Sequence, residues 1–182
     1  MDHRQTAAPT APSAPAGAGD AVDAITAQWA RVRPDLETTA MAAFGRIQRI
    51  ARTMSDRMEA AYAPFGIGLG EFDVVATLRR SGAPYTLSPR ELSATLMLTS
   101  GGMTGRLDKL ERAGLVTRSP DPNDRRALRI TLTDTGIDVV DRAVTVGLTV
   151  QQEALGGLSP DQATALNDLL RHLMTTAGPA PR

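Results

Sequence analysis

With 182 residues and no cysteine, the chain has room for one domain with a sizeable core, and disulfides, thiolate chemistry and cysteine-based peroxide sensing are excluded. Its formal net charge is zero, so any affinity for nucleic acid must come from how charge is distributed along the chain. His3 and His172 are too few and too far apart in sequence for a metal site, no run of 18 apolar residues suggests a membrane span, and the first residues lack the apolar core of a signal peptide, so a cytoplasmic, soluble protein is expected.

Residues 1–19 form an Ala/Pro-rich stretch, TAAPTAPSAPAGAG at its centre, with no apolar periodicity; a disordered tail is expected. Asp20 then suits the N-cap of a helix from Ala21 to Arg33, closed by Pro34, with Val22, Ile25 and Trp29 on one stripe. Trp29, the only tryptophan, reads either as a core or dimer-interface aromatic or as the wall of a ligand pocket. A long helix is expected from Asp35 to about Tyr62, with Leu36, Ala40, Ala43, Ile47, Ile50, Met54, Met58 and Ala61 along its stripe and Arg46, Arg49, Arg52 and Arg57 beside it as a solvated face or interface pairs. Pro64, Gly66, Gly68 and Gly70 interrupt the chain. Residues 71–80, EFDVVATLRR, predict a helix apolar on nearly all sides and therefore largely buried. Asp73 lies within that surface and needs a partner. Ser81 and Gly82 end the helix, and Tyr85–Leu87 suits a short strand.

The stretch LSPRELSATLMLTSGGMTGRLDKLERAGLVTRSPDPNDRRALRITL, Leu87 to Leu132, organises the rest. Ser88, Pro89 and Glu91 make a capping box and first turn, and Leu92 and Leu96 give that short helix a buried side. Thr99 is a second N-cap candidate. A second helix is expected from Ser100 to Ala113, with Met103, Leu107 and Leu110 on its apolar face and Thr104, Gly105, Asp108 and Arg112 opposite, stopped by Gly114. Gly101 and Gly102 weaken its first turn by roughly 1 kcal/mol each relative to alanine, which a close approach to another backbone would explain. Two short helices in tandem read as a helix-turn-helix or as an ordinary helical pair. The following hairpin favours the first: Leu115-Val116 opens one strand, Leu128, Ile130 and Leu132 alternate along the other, and SPDPNDRR between them is a turn carrying Arg125 and Arg126. That is a winged helix. Residues 90–130 hold eight Lys/Arg against five Asp/Glu, whereas residues 131–182 hold three Arg against six acids, so positive charge is concentrated on this module.

After the wing, Thr133 suits the cap of a long helix to about Leu155 with Ile137, Val140, Val144 and Leu148 on its stripe. Gly156 and Gly157 turn the chain. Ser159 to Gln162 is another capping box, opening a last helix with Ala163, Leu166, Leu169, Leu170 and Leu173, ending near Thr176. So many apolar stripes cannot all close on one small winged domain, and a helical dimer interface is their natural destination. No catalytic constellation, phosphate loop or metal-ligand spacing is visible; neither an enzyme nor a cofactor is expected.

MLTSGGMTGRLDKLERAGLVTR followed by DPNDRRALRITLTDTG resembles the recognition helix and wing of the MarR family of bacterial transcriptional regulators, and the flanking helices extend the match over roughly residues 35–175. The resemblance implies a mostly α fold with a small β-wing, a winged helix-turn-helix whose long helices form a dimerisation region. Residues 20–182 would be one domain, with dimerisation helices at 20–63 and 134–176 and a DNA-binding module at 70–133. Ser100, Thr104 and Gly105 would face the major groove. Gly101 and Gly102 would allow close approach, with backbone N–H groups near a phosphate, and Arg125 and Arg126 would reach the backbone or a narrow minor groove. Asp121 and Asp124 are the alternative partners for one of those arginines. A two-fold dimer would read a pseudo-palindrome in double-stranded DNA.

Arg106 stands apart from that set. Three residues after Met103 and one before Leu107, it points to the inner side of its helix, where Asp73 is the obvious anionic partner, whether as a structural salt bridge or as part of a sensor. Trp29, FDVVATLRR around Asp73 and the segment around Arg106 resemble the urate-responsive HucR/PecS/TamR branch of the family. There a Trp, an Asp, an Arg and an Asn are implicated in urate binding, and the ligand disturbs the Asp–Arg contact. Trp29, Asp73 and Arg106 match. The Asn corresponds to Ser81 here, and the branch usually has Asn where this chain has Gly105, departures that leave open urate, a related planar anion, or another phenolic or aromatic ligand. A winged helix used for protein–protein contact is the alternative from a different class.

Overall fold

The computed structural model describes residues 19–178 apart from 97–99, 123, 125 and 126, with Ser100 described by its backbone alone. The expected tail therefore lies, except for Gly19, outside the described residues, as do Thr99 and the two wing-tip arginines. The chain forms two compact units, residues 1–51 and 52–182, and one helix runs through the boundary.

In the first unit, α1 spans Ala21–Val32 and α2 begins at Thr39, continuing to Tyr62. Asp20 caps α1 as expected: one carboxylate oxygen accepts from the Val22 and Asp23 amides, and Asp23 returns a bond to the Asp20 amide. Arg46 of α2 bridges both acids, its Nε 2.8 Å from Asp20 and its Nη2 2.5 Å from Asp23. The exposed Asp20 carboxyl is held at about 2, chiefly by the Arg46 hydrogen bond. The helix α1 ends one residue early because Pro34 disfavours helical backbone at Arg33. α2 starts at Thr39 rather than Asp35. Asp35 is engaged by the Arg33 guanidinium at 2.6–2.8 Å, Leu36 closes a turn back to Arg33, and the Glu37 carboxylate accepts from the Thr39 amide, which sets the first helical turn there. Leu36 is thus not part of the helical stripe.

In the second unit, α2 ends in a single 3-10 turn at Ala63–Phe65. There follow α3 (Leu69–Arg80), β1 (Thr86–Leu87), α4 (Pro89–Leu96), α5 (Ser100–Arg112), β2 (Val116–Pro120), β3 (Leu128–Leu132), α6 (Asp134–Leu155) and α7 (Pro160–Thr176). The three strands form an antiparallel sheet in the order β1-β3-β2, with Thr86 opposite Thr131 and Val116 opposite Leu132. α3 is central: Val74, Val75 and Leu78 have no exposed surface and join Leu92 of α4, Met103, Leu107 and Leu110 of α5, Ile130 of β3 and Val140 of α6 in one core. Tyr62 stacks on Phe72, ring centroids 4.2 Å apart, and burial pushes its phenol up to about 12, so it stays neutral.

The face of α6 that is buried is Gly136, Val140, Ala143 and Gly147. This differs from the expected stripe: Val144 and Leu148 are exposed. The reason is steric. A side chain at Gly136 would collide with the Leu115 carbonyl and one at Gly147 with the Tyr62 hydroxyl, so small residues, not large apolar ones, mark the side of α6 that approaches its neighbours. α7 is capped by Ser159 and Gln162 as expected, yet none of its residues is buried.

Candidate nucleic-acid interface

The first helix of the tandem pair is set by its cap. Glu91 accepts from both the amide and the hydroxyl of Ser88 at 2.7–2.8 Å, and the Glu91 amide donates to the Ser88 hydroxyl. Leu92 is then fully buried and Arg90 points outward. On the second helix, Met103, Leu107 and Leu110 are 1–3% exposed, while Gly101, Gly102, Thr104 and Gly105 lie open on the other side. Among the described residues, a side chain at Gly101 or Gly105 would meet nothing within 4 Å beyond its own stretch of helix. Internal packing thus asks for glycine at neither position, although each weakens the helix by about 1 kcal/mol relative to alanine.

The base of the wing is closed by backbone bonds from the Asp121 amide to the Ala127 carbonyl and from the Ala127 amide to the Asp124 carbonyl, both 2.9 Å. Arg125 and Arg126, and the side chain of Ser100, lie outside the described residues.

The cations of the module divide by partner. Arg118 is tied to Asp108 at 2.5 Å and Glu111 at 3.2 Å, Lys109 to Glu71 at 3.2 Å, and Arg129 to Asp121 at 2.8 Å. Arg112 bonds the Asp108 carbonyl of its own helix. Arg90 has no carboxylate partner among the described residues, and it borders a cleft of about 540 Å³ between α4 and the wing base, lined also by Thr86, Ser88, Asp121 and Arg129. Counting charges along the sequence does not single out Arg90. The signal was there in spacing: no acid stands three or four residues after it, and the adjacent Glu91 is consumed by the Ser88 cap.

Arg106 does point inward, and it is half-buried. The expected direct pair with Asp73 is not formed within 4 Å. The guanidinium settles one turn earlier on α3, where Nη1 donates to the Gly70 carbonyl at 3.3 Å. Gly70 has no side chain to keep it away from the helix backbone. Asp73 is half-buried, and burial raises its carboxyl above the ordinary value against the opposing pull of Arg106 and Arg80. The two charges thus sense each other without contact. Ser81 is not brought to this pair: it is exposed at the C-terminus of α3, its hydroxyl donating to the Leu78 carbonyl at 2.7 Å, eight residues or about 12 Å of helix beyond Asp73. Trp29, in the first unit, is 40% exposed and flanks a surface recess with Gln28 and Val32. Among the described residues no cluster of His, Asp or Glu suits a metal ion, and no helix is long and apolar enough to cross a membrane.

The model of the MarR family matches residues 65–127, the tandem helices and most of the wing. The HTH-type transcriptional regulator PecS of Dickeya dadantii is 36% identical over 143 residues, covering 79% of this chain and 86% of that protein. The multiple antibiotic resistance protein MarR of Escherichia coli is 30% identical over 132 residues, 71% of this chain and 90% of that one. Among solved structures, an E. coli MarR mutant complexed with operator DNA superimposes with a TM-score of 0.65 at 26% identity, over 80% of this chain and 97% of that one. A MarR family regulator from Streptomyces coelicolor gives 0.67 at 26%, over 78% and 97%. A family-model match centred on the helix-turn-helix, relatives spanning most of their own length and the same fold in both solved structures agree: the chain belongs to the MarR family of DNA-binding transcriptional regulators.

Proposed function

We propose that the protein is a homodimeric, cytoplasmic repressor that binds a pseudo-palindromic operator and is released by a small anionic ligand of the urate type. The observation that carries the DNA contact is the outer face of α5, where Gly101 and Gly105 open onto free space while the opposite face is locked in the core. Ser100, Gly101, Gly102, Thr104 and Gly105 read the major groove, with half-sites about one helical turn apart. Arg125 and Arg126 contact the backbone or minor groove, and Arg90 adds a phosphate contact at the start of α4, the helix that crosses the backbone in this motif. The second copy covers the apolar face of α7, where Leu166, Leu169, Leu170 and Met174 are all exposed.

Retardation of the DNA upstream of the protein's own gene, titrated with salt, tests the DNA reading. Replacing Arg125 and Arg126 together by alanine should weaken binding and flatten the salt dependence by about one unit of log–log slope per lost phosphate contact; an unchanged slope removes the wing from the interface. Failure of the wild-type protein to retard that DNA even at low salt would favour a winged helix used for protein contact.

The effector reading rests on Asp73 and Arg106, an opposed but uncontacted charge pair on the inner side of the recognition helix, with Trp29 and Ser81 added by the resemblance. An effector shifts the equilibrium only by binding the non-DNA conformation more tightly. Urate and salicylate are titrated against the protein–DNA complex while the fluorescence of Trp29 is followed. Release by urate with quenching supports the set. Release by salicylate alone supports a phenolic effector. Asp73→Ala or Arg106→Ala should uncouple urate from DNA release.

A further inference from the structure

Gly70 is the second residue of α3, and ordinary helix physics disfavours it there by about 1 kcal/mol relative to alanine. Its backbone is not in the left-handed region that favours glycine, unlike Gly66, Gly82 and Gly114. The space its missing side chain leaves is filled by Arg106. The guanidinium Cζ, Nε and Nη2 lie 2.7, 2.8 and 2.9 Å from where a Cβ would stand, and Nη1 bonds the Gly70 carbonyl. A Cβ is not tolerated at such distances, so Arg106 in this position and a side chain at residue 70 exclude each other.

We propose that Gly70 is a positioning residue for the recognition helix: its missing side chain forms the seat in which Arg106 fastens α5 to α3. The inference rests on the regulatory reading above and deepens it. An anion that engages the Arg106 guanidinium competes with the Gly70 carbonyl for it and would free it from the seat. Among the described residues, the group that holds Arg106 by a hydrogen bond is the Gly70 carbonyl, while Asp73 acts on it only through charge. The atoms an alanine at 70 would displace are the far end of a flexible side chain, so the substitution evicts Arg106 without opening the core.

Gly70→Ala, Arg106→Ala and the double variant test this in the full-length protein. Thermal unfolding of Gly70→Ala should occur at the wild-type temperature or higher, since a helix gains alanine. Hydrogen exchange at the amides of residues 100–112, measured without DNA or urate, should quicken by roughly threefold to tenfold in each single variant, as expected for losing one ordinary hydrogen bond. The double variant should be no faster than Arg106→Ala alone, because Gly70→Ala acts through Arg106. Additive acceleration, or wild-type exchange in Gly70→Ala, overturns the seat. Arg106→Gln, too short to reach the Gly70 carbonyl, provides the same measurement in a wild-type α3 should Gly70→Ala prove unstable; wild-type exchange there also overturns it. The effector reading fails separately. If α5 loosens as described but neither urate nor salicylate releases wild-type protein from DNA, the seat stands and the ligand assignment falls.

Discussion

In α5, Met103, Leu107 and Leu110 are 1–3% exposed; in α7, Leu166, Leu169, Leu170 and Met174 are 37–77% exposed. Both helices carry an apolar stripe at helical spacing, both follow recognisable N-terminal signals, and only one is covered by its own chain. Amphipathic spacing says that a face is to be buried; it does not say by which molecule. For α5 the answer is internal, and the unexplained surface is the opposite one, where Gly101 and Gly105 face open space among the described residues. For α7 the apolar face is left uncovered by its own chain, and the proposed homodimer is what would cover it.

The largest effect is expected where cover is internal. Leu110→Ala leaves a cavity in a core shared by α3, α4, α5 and the sheet and should lower unfolding free energy in urea by about 2–5 kcal/mol. A loss below about 1 kcal/mol would mean that α5 is held less tightly than its burial indicates. Next in size, Leu169→Glu combined with Leu170→Glu should convert a dimer into monomers in sedimentation equilibrium while the winged module keeps its unfolding midpoint. If the module melts as well, α7 supports its own chain and the contrast with α5 disappears. Smaller again, Arg90→Ala should reduce the log–log salt slope of DNA binding by about one without changing preference among sequences, since a phosphate contact carries no base information. A changed preference would place Arg90 against base edges.

Much of this was legible in the sequence, and the failures share a cause. Caps at Asp20, Ser88, Thr133 and Ser159 act locally, and each initiates the helix its sequence indicates. In the hairpin the expected alternation holds for Ile130 and Leu132, which are buried, whereas Leu128 at the wing end is exposed. What escaped depends on residues distant in sequence. The buried side of α6 is chosen by Gly136 and Gly147, whose role shows only against Leu115 and Tyr62. Arg90 stands out once Lys109, Arg118 and Arg129 are seen to have carboxylate partners. Arg106 rests on Gly70 rather than Asp73 because an absent side chain leaves no trace in apolar periodicity.

The smallest effect concerns Asp73 and separates two kinds of carboxylate. Asp20 is hydrogen-bonded to Arg46 and held at about 2, the usual behaviour of a paired acid. Asp73 moves the other way because burial outweighs the distant Arg106 and Arg80. The sign of its stability contribution is therefore reversed. Between the ordinary aspartate value and its raised folded value, the native state holds more protons at this site than the unfolded chain, so stability falls as pH rises through that window. The penalty is absent below the window and fully present above it. Asp73→Asn, which cannot ionise, should gain stability relative to wild type as pH rises through the window and hold that gain at neutral pH, read as the difference between urea midpoints across the acid range. A direct Asp73–Arg106 salt bridge predicts the opposite: the variant would lose ground as pH rises, because the wild-type protein would then gain a charge pair that asparagine cannot supply. The direction of that difference decides whether Arg106 is held by the carboxylate or by the backbone beside it.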